Sequence, residues 1–216
     1  MRLRRPRNMS IMNSGFIYLA SSSPRRRALL EQLGVNYRLM SVTVDERVQP
    51  GEDAARHVQR LAVAKAEAAI RALDTRTFPP VLAADTSVAV DGVILGKPVD
   101  REAGLAMLAQ LSGRSHQVLS AVALRLPAGL RQALSVSRVT FRAIAPAEAR
   151  AYWDTGEPAG KAGGYAIQGR GALFIERLEG SYSGVMGLPL YETAQLLAQA
   201  GLQILSGDNA GQGTGK

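Results

Sequence analysis

The chain has 216 residues, a formal net charge of +8, 46% hydrophobic residues and no cysteine. That length and apolar content suit one medium-sized α/β domain with a core and a cleft, while the absence of thiols excludes disulfides, cysteine nucleophiles and thiolate metal sites. No apolar run approaches the roughly 20 residues of a membrane span, and no apolar segment of signal-peptide type follows the basic start, so the expectation is a soluble cytoplasmic protein.

Arg2, Arg4, Arg5 and Arg7 supply half of the net charge from a segment without periodicity. Residues 1–14 read as a disordered basic arm, the alternative being an arm for nucleic acid. Met9 and Met12 offer alternative starts. Residues 16–20 read as a short buried strand. Ser23 and Pro24 then open a helix as N-cap and first helical residue, with Leu29, Leu30 and Leu33 on its apolar face and Gly34 at its end. A strand-like run over 37–44 ends at Asp45-Glu46. The spacing of Val58, Leu61, Ala62, Ala69 and Leu73 predicts a long helix over 52–73. Apolar runs at 81–90 and 93–95 flank Asp91-Gly92, a dipeptide favoured in two-residue hairpin turns.

Asp100 can cap a helix bearing Leu105, Leu108 and Leu111, which stops at Gly113. Residues 117–124 and 133–144 alternate as strands around a turn at 127–129. A short helix over 146–155, a glycine-rich loop over 156–171, a strand at 172–175 and a loop over 180–187 follow. Pro189 opens a last helix and Gly201 closes it. Residues 15–206 therefore read as a single α/β domain, a mixed sheet flanked by helices, and 207–216 as a flexible Gly-rich tail.

Several residues stand out chemically. Arg25, Arg26 and Arg27 crowd the first turn of a helix, where the dipole disfavours positive charge. Either this is a solvated basic turn, or backbone N–H groups, arginines and the hydroxyls of Ser21 and Ser23 converge on a phosphate. Asp85 interrupts an apolar strand, where an ionised group is costly without a partner. If Val90 pairs with Val93, extending the register puts Asp85 opposite Pro98 and Thr86 opposite Lys97, so that Asp85 and Lys97 meet either as a structural ion pair or in a site. Lys65 lies on the apolar stripe of its helix and either snorkels to water or points at an anion. Asp45 and Glu46, with Asp85, offer hard oxygen ligands for Mg²⁺ or Mn²⁺. His57 and His116 lack zinc-ligand spacing, and His116 and Trp153 read as structural. Tyr165 and Gln168 can contact a nucleobase.

Taken together, LASSSPRRRALLEQLG (19–34), VDE (44–46), LAVAKA (61–66), AADTSV (83–88) and LGKP (95–98) resemble the Maf family of nucleoside triphosphate pyrophosphatases. LSGRSHQV (111–118), GEPAGKAGGYAIQG (156–169) and GSYSGVMGLPL (180–190) complete the series. The resemblance implies an elongated α/β fold with a central cleft, shared with inosine triphosphate pyrophosphatases, and commonly a homodimer. It implies metal-dependent hydrolysis of a nucleoside triphosphate to monophosphate and pyrophosphate. By position, Asp85 matches the general base, and with Glu46 it can hold the divalent cation. Ser21, Arg25, Arg26, Lys65 and Lys97 match polar residues of the cleft. KAGGYAIQG is similar to the branch acting on dTTP and UTP, with Arg25, Thr86 and Gln168 at specificity positions. Ala159-Gly160 departs from that branch, where an acidic residue is common. The alternatives are a 7-methyl-GTP pyrophosphatase of the sister branch, or a non-catalytic nucleic-acid-binding or septum-regulating protein. Acids interleaved with the bases favour a metal–phosphate site over a DNA backbone.

Overall fold

The structure is a computed structural model, and it describes residues 15–73 and 77–204. The basic arm at 1–14, the tail at 207–216 and the last two residues of the expected folded unit lie outside the described residues. The elements run β1 (Ile17–Leu19), α1 (Pro24–Gln32), β2 (Tyr37–Leu39), α2 (Ala54–Leu73), β3 (Val81–Val90), β4 (Val93–Leu95) and α3 (Arg101–Leu111). They continue with β5 (Ser115–Leu126), β6 (Gly129–Phe141), α4 (Pro146–Asp154), β7 (Ile175–Glu179), α5 (Tyr182–Met186) and α6 (Leu190–Gln199).

Seven strands form one mixed sheet in the order β2-β1-β3-β5-β6-β7, with β4 on β3. The β1–β2 and β1–β3 pairs are parallel, and the others are antiparallel. The local signals account for the elements. Ser23 caps α1 and Pro24 is its first residue, and Asp100 caps α3 by accepting from the Ala103 N–H. Asp91 and Gly92 take φ of 50° and 78°, the left-handed pair that a tight hairpin requires. Three expectations needed revision. The run after 37 is a strand only to Leu39. The segment at 170–174 is a 3₁₀ turn, with the strand beginning at Ile175, and the loop over 180–187 contains the short helix α5.

Three apolar clusters hold the layers together. On one face, Ala62, Ala66 and Ala69 of α2 lie close against Ala83, Ala121 and Ala123 of β3 and β5. Small side chains let this helix approach the strands closely. On the other face, Leu29 and Leu30 of α1 and Leu196 and Leu197 of α6 meet Leu82, Val122 and Leu124. At the far end, Leu108 and Leu111 of α3 pack with Val90, Phe141, Tyr152 and Phe174.

The fold positions its site through the edges of β3. Strand β5 covers one edge from Val81 to Ala89. On the other edge β1 pairs only with Val81 and Leu82, and β4 only with Val88 to Val90. Among the described residues no strand pairs with positions 83–87 there. A slot therefore opens between the parallel and antiparallel halves of the sheet, the kind of switch point where α/β sheets bind ligands.

The contact between α3 and α4 rests on Gly104, because ring atoms of Trp153 occupy the place a Cβ would take. Gly104→Ala gains about 1 kcal/mol of helix propensity but forces the ring away, at about 1–3 kcal/mol. Urea denaturation is expected to show a net loss of about 1 kcal/mol in the wild-type background and a gain once Trp153→Ala removes the ring. A stabilised single variant would contradict this packing.

Candidate active site

Asp85 and Thr86 sit at the middle of the slot, and alternation along β3 sends them to opposite faces. Asp85, with Ala83 and Ala89, faces α2; Thr86, with Ala84 and Val88, faces α1 and α5. Both nevertheless line one cleft of about 340 Å³, because it passes through the unpaired edge.

On the α2 side Asp85 is 7% exposed. The Lys65 ammonium reaches inward from α2, donating to Asp85 Oδ1 at 2.6 Å and lying 2.7 Å from Glu46 Oε1. The other oxygen of Glu46 accepts from Lys97 Nζ at 2.8 Å. Burial works to raise the Glu46 pKa, but the hydrogen bonds from Lys65 and Lys97 outweigh it and lower it to about 2. Two carboxylates thus converge on one cation, and the second lysine closes the chain.

Glu46 belongs to an irregular segment between β2 and α2, held from the helix side. Arg60 of α2 donates to Glu52 at 2.6 and 2.8 Å and to the carbonyl of Arg47, the neighbour of Glu46, at 3.0 Å. The Glu52 carboxylate is only 7% exposed and also meets His57 Nδ1 at 3.0 Å. Arg60 above all holds the Glu52 carboxyl well below its ordinary range.

On the opposite face Arg26 is fixed at three nitrogens. Nε donates to the Gly187 carbonyl at 2.8 Å, Nη1 to Ser21 Oγ at 3.4 Å and Nη2 to Thr86 Oγ1 at 3.3 Å. Ser120 donates to the Gly184 carbonyl at 2.6 Å, so the Thr86 hydroxyl gives its hydrogen to Ser120 at 2.8 Å and accepts from Arg26. Of five guanidinium N–H groups, two are left for a ligand. Burial lowers the Arg26 pKa, and the Asp85 charge works against that. Arg25 donates through Nε to the Met186 carbonyl at 3.4 Å.

The third wall is the glycine-rich loop. Glu157 ties its two ends by accepting from Tyr152 Oη at 2.7 Å and from the N–H groups of Arg170 and Gly171 at 2.8 and 2.9 Å. Behind it, Tyr165 Oη and His116 Nε2 are 2.8 Å apart. Burial pushes the His116 pKa down to about 4, so its ring is neutral at neutral pH.

The sequence profile described as Maf-like protein matches residues 16–200, which is most of the chain. The chain belongs to the Maf family. Among its relatives is a protein of Cupriavidus pinatubonensis named dTTP/UTP pyrophosphatase, 55% identical over 196 residues, 87% of this chain and 98% of that one. Another, of Cupriavidus metallidurans and with the same name, is 52% identical over 197 residues, 88% of this chain and 98% of that one. The Ham1 protein of Staphylococcus aureus superposes with a TM-score of 0.42 at 18% identity, over 91% of this chain and 89% of that one.

This Maf chain brings most of the residues singled out by its sequence into one place. Ser21, Arg25, Arg26, Glu46, Lys65, Asp85, Thr86, Lys97 and Gln168 all line the one cleft. Two pairings differ from expectation. Asp85 meets Lys65 rather than Lys97, because the β3–β4 ladder ends at Val88–Leu95 and the chain then leaves at Gly96, whose carbonyl accepts from the Gly163 N–H. Asp45 turns away from the cleft to Arg47, with contacts of 2.6–3.0 Å. Of the three arginines on the first turn, Arg25 and Arg26 enter the cleft and Arg27 does not. Lys161, in the stretch already quoted for the family, lines the cleft and was not singled out. Ser120 and Arg60 carried no local signal, since each acts through a neighbour distant in sequence.

Because its folded-state pKa is depressed, Glu46 contributes stability that is full above about pH 4.5 and lost as the pH falls through about 2. Carbon-detected NMR titration of the Glu46 carboxyl is expected to place its midpoint near 2, and Lys97→Met is expected to move it upward. A midpoint at the ordinary glutamate value in the wild type would contradict the ion-pair chain.

Proposed function

We propose that this chain is a metal-dependent hydrolase that cleaves dTTP and UTP between the α and β phosphates, releasing the monophosphate and pyrophosphate. The observation that carries this reading is the pair of carboxylates, Glu46 and Asp85, sharing one cation inside a cleft rich in positive charge. Arg25, Arg26, Lys65, Lys97 and Lys161 line it against those two acids, an excess that suits a polyanion. The relatives, named dTTP/UTP pyrophosphatase, point to the bases.

The residues fit a divalent cation shared with substrate. Among the described residues, no group of three or more His, Cys, Asp or Glu side chains could hold a metal ion alone. The carboxylates of Glu46 and Asp85 both reach the Lys65 ammonium, at 2.7 and 2.6 Å, and hard oxygen donors this close to one another would suit Mg²⁺ or Mn²⁺ completed by substrate and water. A divalent cation held by Glu46 and Asp85 would neutralise phosphate charge and polarise the phosphorus.

The protein's own groups supply the rest. Asp85 Oδ1 is taken by Lys65, leaving Oδ2 to orient the water and accept its proton as oxygen attacks the α-phosphorus. A water O–P bond forms, the bond from phosphorus to the α–β bridging oxygen breaks, and pyrophosphate leaves with that electron pair. The two remaining N–H groups of Arg26, with Lys65 and Lys97, stabilise charge gathering on the phosphates. Ser21 and Thr86 keep Arg26 aimed. Gln168, exposed at the rim, presents an amide to the base. A cytoplasmic location and a homodimer belong to the same reading. Among the described residues no helix is long and apolar enough to cross a membrane.

Pyrophosphate release from a panel of nucleotides, with Mg²⁺ or Mn²⁺ and with chelator, tests this reading. Turnover is expected on dTTP and UTP, lost with chelator and reduced at least about 100-fold in Asp85→Asn, whose melting is expected to stay close to that of the wild type. Wild-type rates in folded Asp85→Asn would overturn the assignment of Asp85. Turnover of 7-methyl-GTP alone would overturn the bases, and no turnover by folded wild-type protein would overturn the enzyme.

A further inference from the structure

Ser120 interrupts the apolar run of β5 between Leu119 and Ala121, is 1% exposed and does not line the cleft. A buried hydroxyl is costly unless it is hydrogen-bonded, and Ser120 both donates and accepts. It donates to the Gly184 carbonyl at 2.6 Å and accepts from Thr86 Oγ1 at 2.8 Å. The sheet register places it for this, since Ser120 is the cross-strand partner of Thr86 on β3 and of Ser135 on β6. A row of hydroxyls thus crosses three strands on one face of the sheet. Helix α5 lies on that row, close enough that a Cβ on Gly184 would come within 3.4 Å of Ser135 Oγ.

The seat of α5 matters because of what its end carries. The carbonyls of Met186 and Gly187 accept from Arg25 Nε at 3.4 Å and from Arg26 Nε at 2.8 Å. The start of α5 is fastened separately, the Ser181 N–H donating to Ser137 Oγ at 2.9 Å and Ser137 Oγ to the Ser181 carbonyl at 3.3 Å. Of these sheet contacts, the Ser120 bond lies nearer the end that holds the arginines. Ser120 also reaches Arg26 through Thr86, whose hydroxyl accepts from Arg26 Nη2 at 3.3 Å. Two of the three bonds that fix Arg26 therefore lead back to Ser120. Without the Ser120 acceptor, the Thr86 hydroxyl has the Gly187 carbonyl at 3.5 Å, the same oxygen that Arg26 Nε uses.

We propose that Ser120 is a positioning residue that aims Arg26 into the cleft from outside it, by seating α5 and by setting the direction of the Thr86 hydrogen bond. Its consequence for turnover rests on the function proposed above; its consequence for the Arg26 side chain does not. Loss of the Ser120 hydroxyl leaves the Gly184 carbonyl without its partner and turns Thr86 toward Gly187. Arg26 then loses its rigid placement, while the chain of Asp85, Lys65 and Glu46 on the opposite face keeps its own bonds.

The test uses the full-length protein with Ser120→Ala and with Ser120→Thr, which keeps the hydroxyl. NMR reads the exchange of the Arg26 Nε–H with water, and Arg60, whose Nε donates to Glu52 at 2.6 Å, serves as the control. In Ser120→Ala, exchange at Arg26 is expected to rise at least about fivefold while Arg60 stays within about twofold, and Ser120→Thr is expected to restore it. For turnover, kcat/KM on UTP is expected to fall about tenfold in Ser120→Ala, but by no more than about threefold when Arg26→Met is already present. Unchanged exchange at Arg26, equal acceleration at both arginines, or equal losses of turnover in the two backgrounds would overturn the proposal. Should the alanine variant fail to fold, Ser120→Cys, of similar size but a weak donor, makes the same comparison. Failure of the wild type to turn over UTP would count against the proposed function, and the exchange measurement still decides Ser120.

Discussion

Between the carboxylates of Glu46, on an irregular segment, and Asp85, on the central strand, stands the ammonium of Lys65, 2.7 and 2.6 Å from their oxygens. Without it, two acids would share a partly buried space, and one would have to take up a proton or move away. With it, a segment with no regular structure is fastened across the cleft to the most buried strand of the sheet. Lys97 then bonds to Glu46 from outside, and Arg60, a little over one turn of α2 before Lys65, fixes the backbone next to Glu46. One helix therefore sets both the cation and the loop that brings an acid to it. The cost of burying these charges is met inside the site, by ion pairs and hydrogen bonds among its own residues.

This arrangement needs a strand that is buried and yet open along part of one edge. Strand β3 meets both conditions, because β1 covers its start and β4 its end. Adjacent residues project to opposite faces of the sheet, and here they line one cleft: Asp85 with the α2 lysine, Thr86 with the α1 arginine. Arg26 is presented as a rigid group, since its three nitrogens are bound to Gly187, Ser21 and Thr86 before any ligand arrives. Preorganised donors of this kind lose little freedom when the substrate charge shifts.

Much of this was legible in the chain, for reasons that differ by residue. Asp85 announced itself as a charge inside an apolar strand, and Lys65 as a charge on an apolar helical stripe. Their partnership was not legible, because it depends on how α2 lies on the sheet. The hairpin register was right at Val90–Val93 but failed when extended, since extrapolation assumes that a ladder continues and this one parts at Gly96 to form the cleft wall. Asp45 and Glu46 are equivalent in sequence, and only the path of the loop sends one to the lysines and the other to Arg47. Segment 172–175 reads as a strand by its apolar residues, yet the Glu157 carboxylate, bonded to the N–H groups of Arg170 and Gly171, anchors the turn that precedes β7. Interactions that join distant segments through one side chain leave no local pattern.

The central claim is that water attacks the α-phosphorus held beside Asp85, and the fate of the solvent oxygen tests it most directly. In ¹⁸O-enriched water, a single turnover of UTP or dTTP is expected to leave the label in the nucleoside monophosphate, with none in the pyrophosphate, as mass spectrometry of the two products would read. Label in the pyrophosphate would place the attack on the β-phosphorus, and release of labelled inorganic phosphate with a nucleoside diphosphate would place it on the γ-phosphorus. Either result would contradict the placement of Asp85, Lys65 and Arg26 around the α-phosphate.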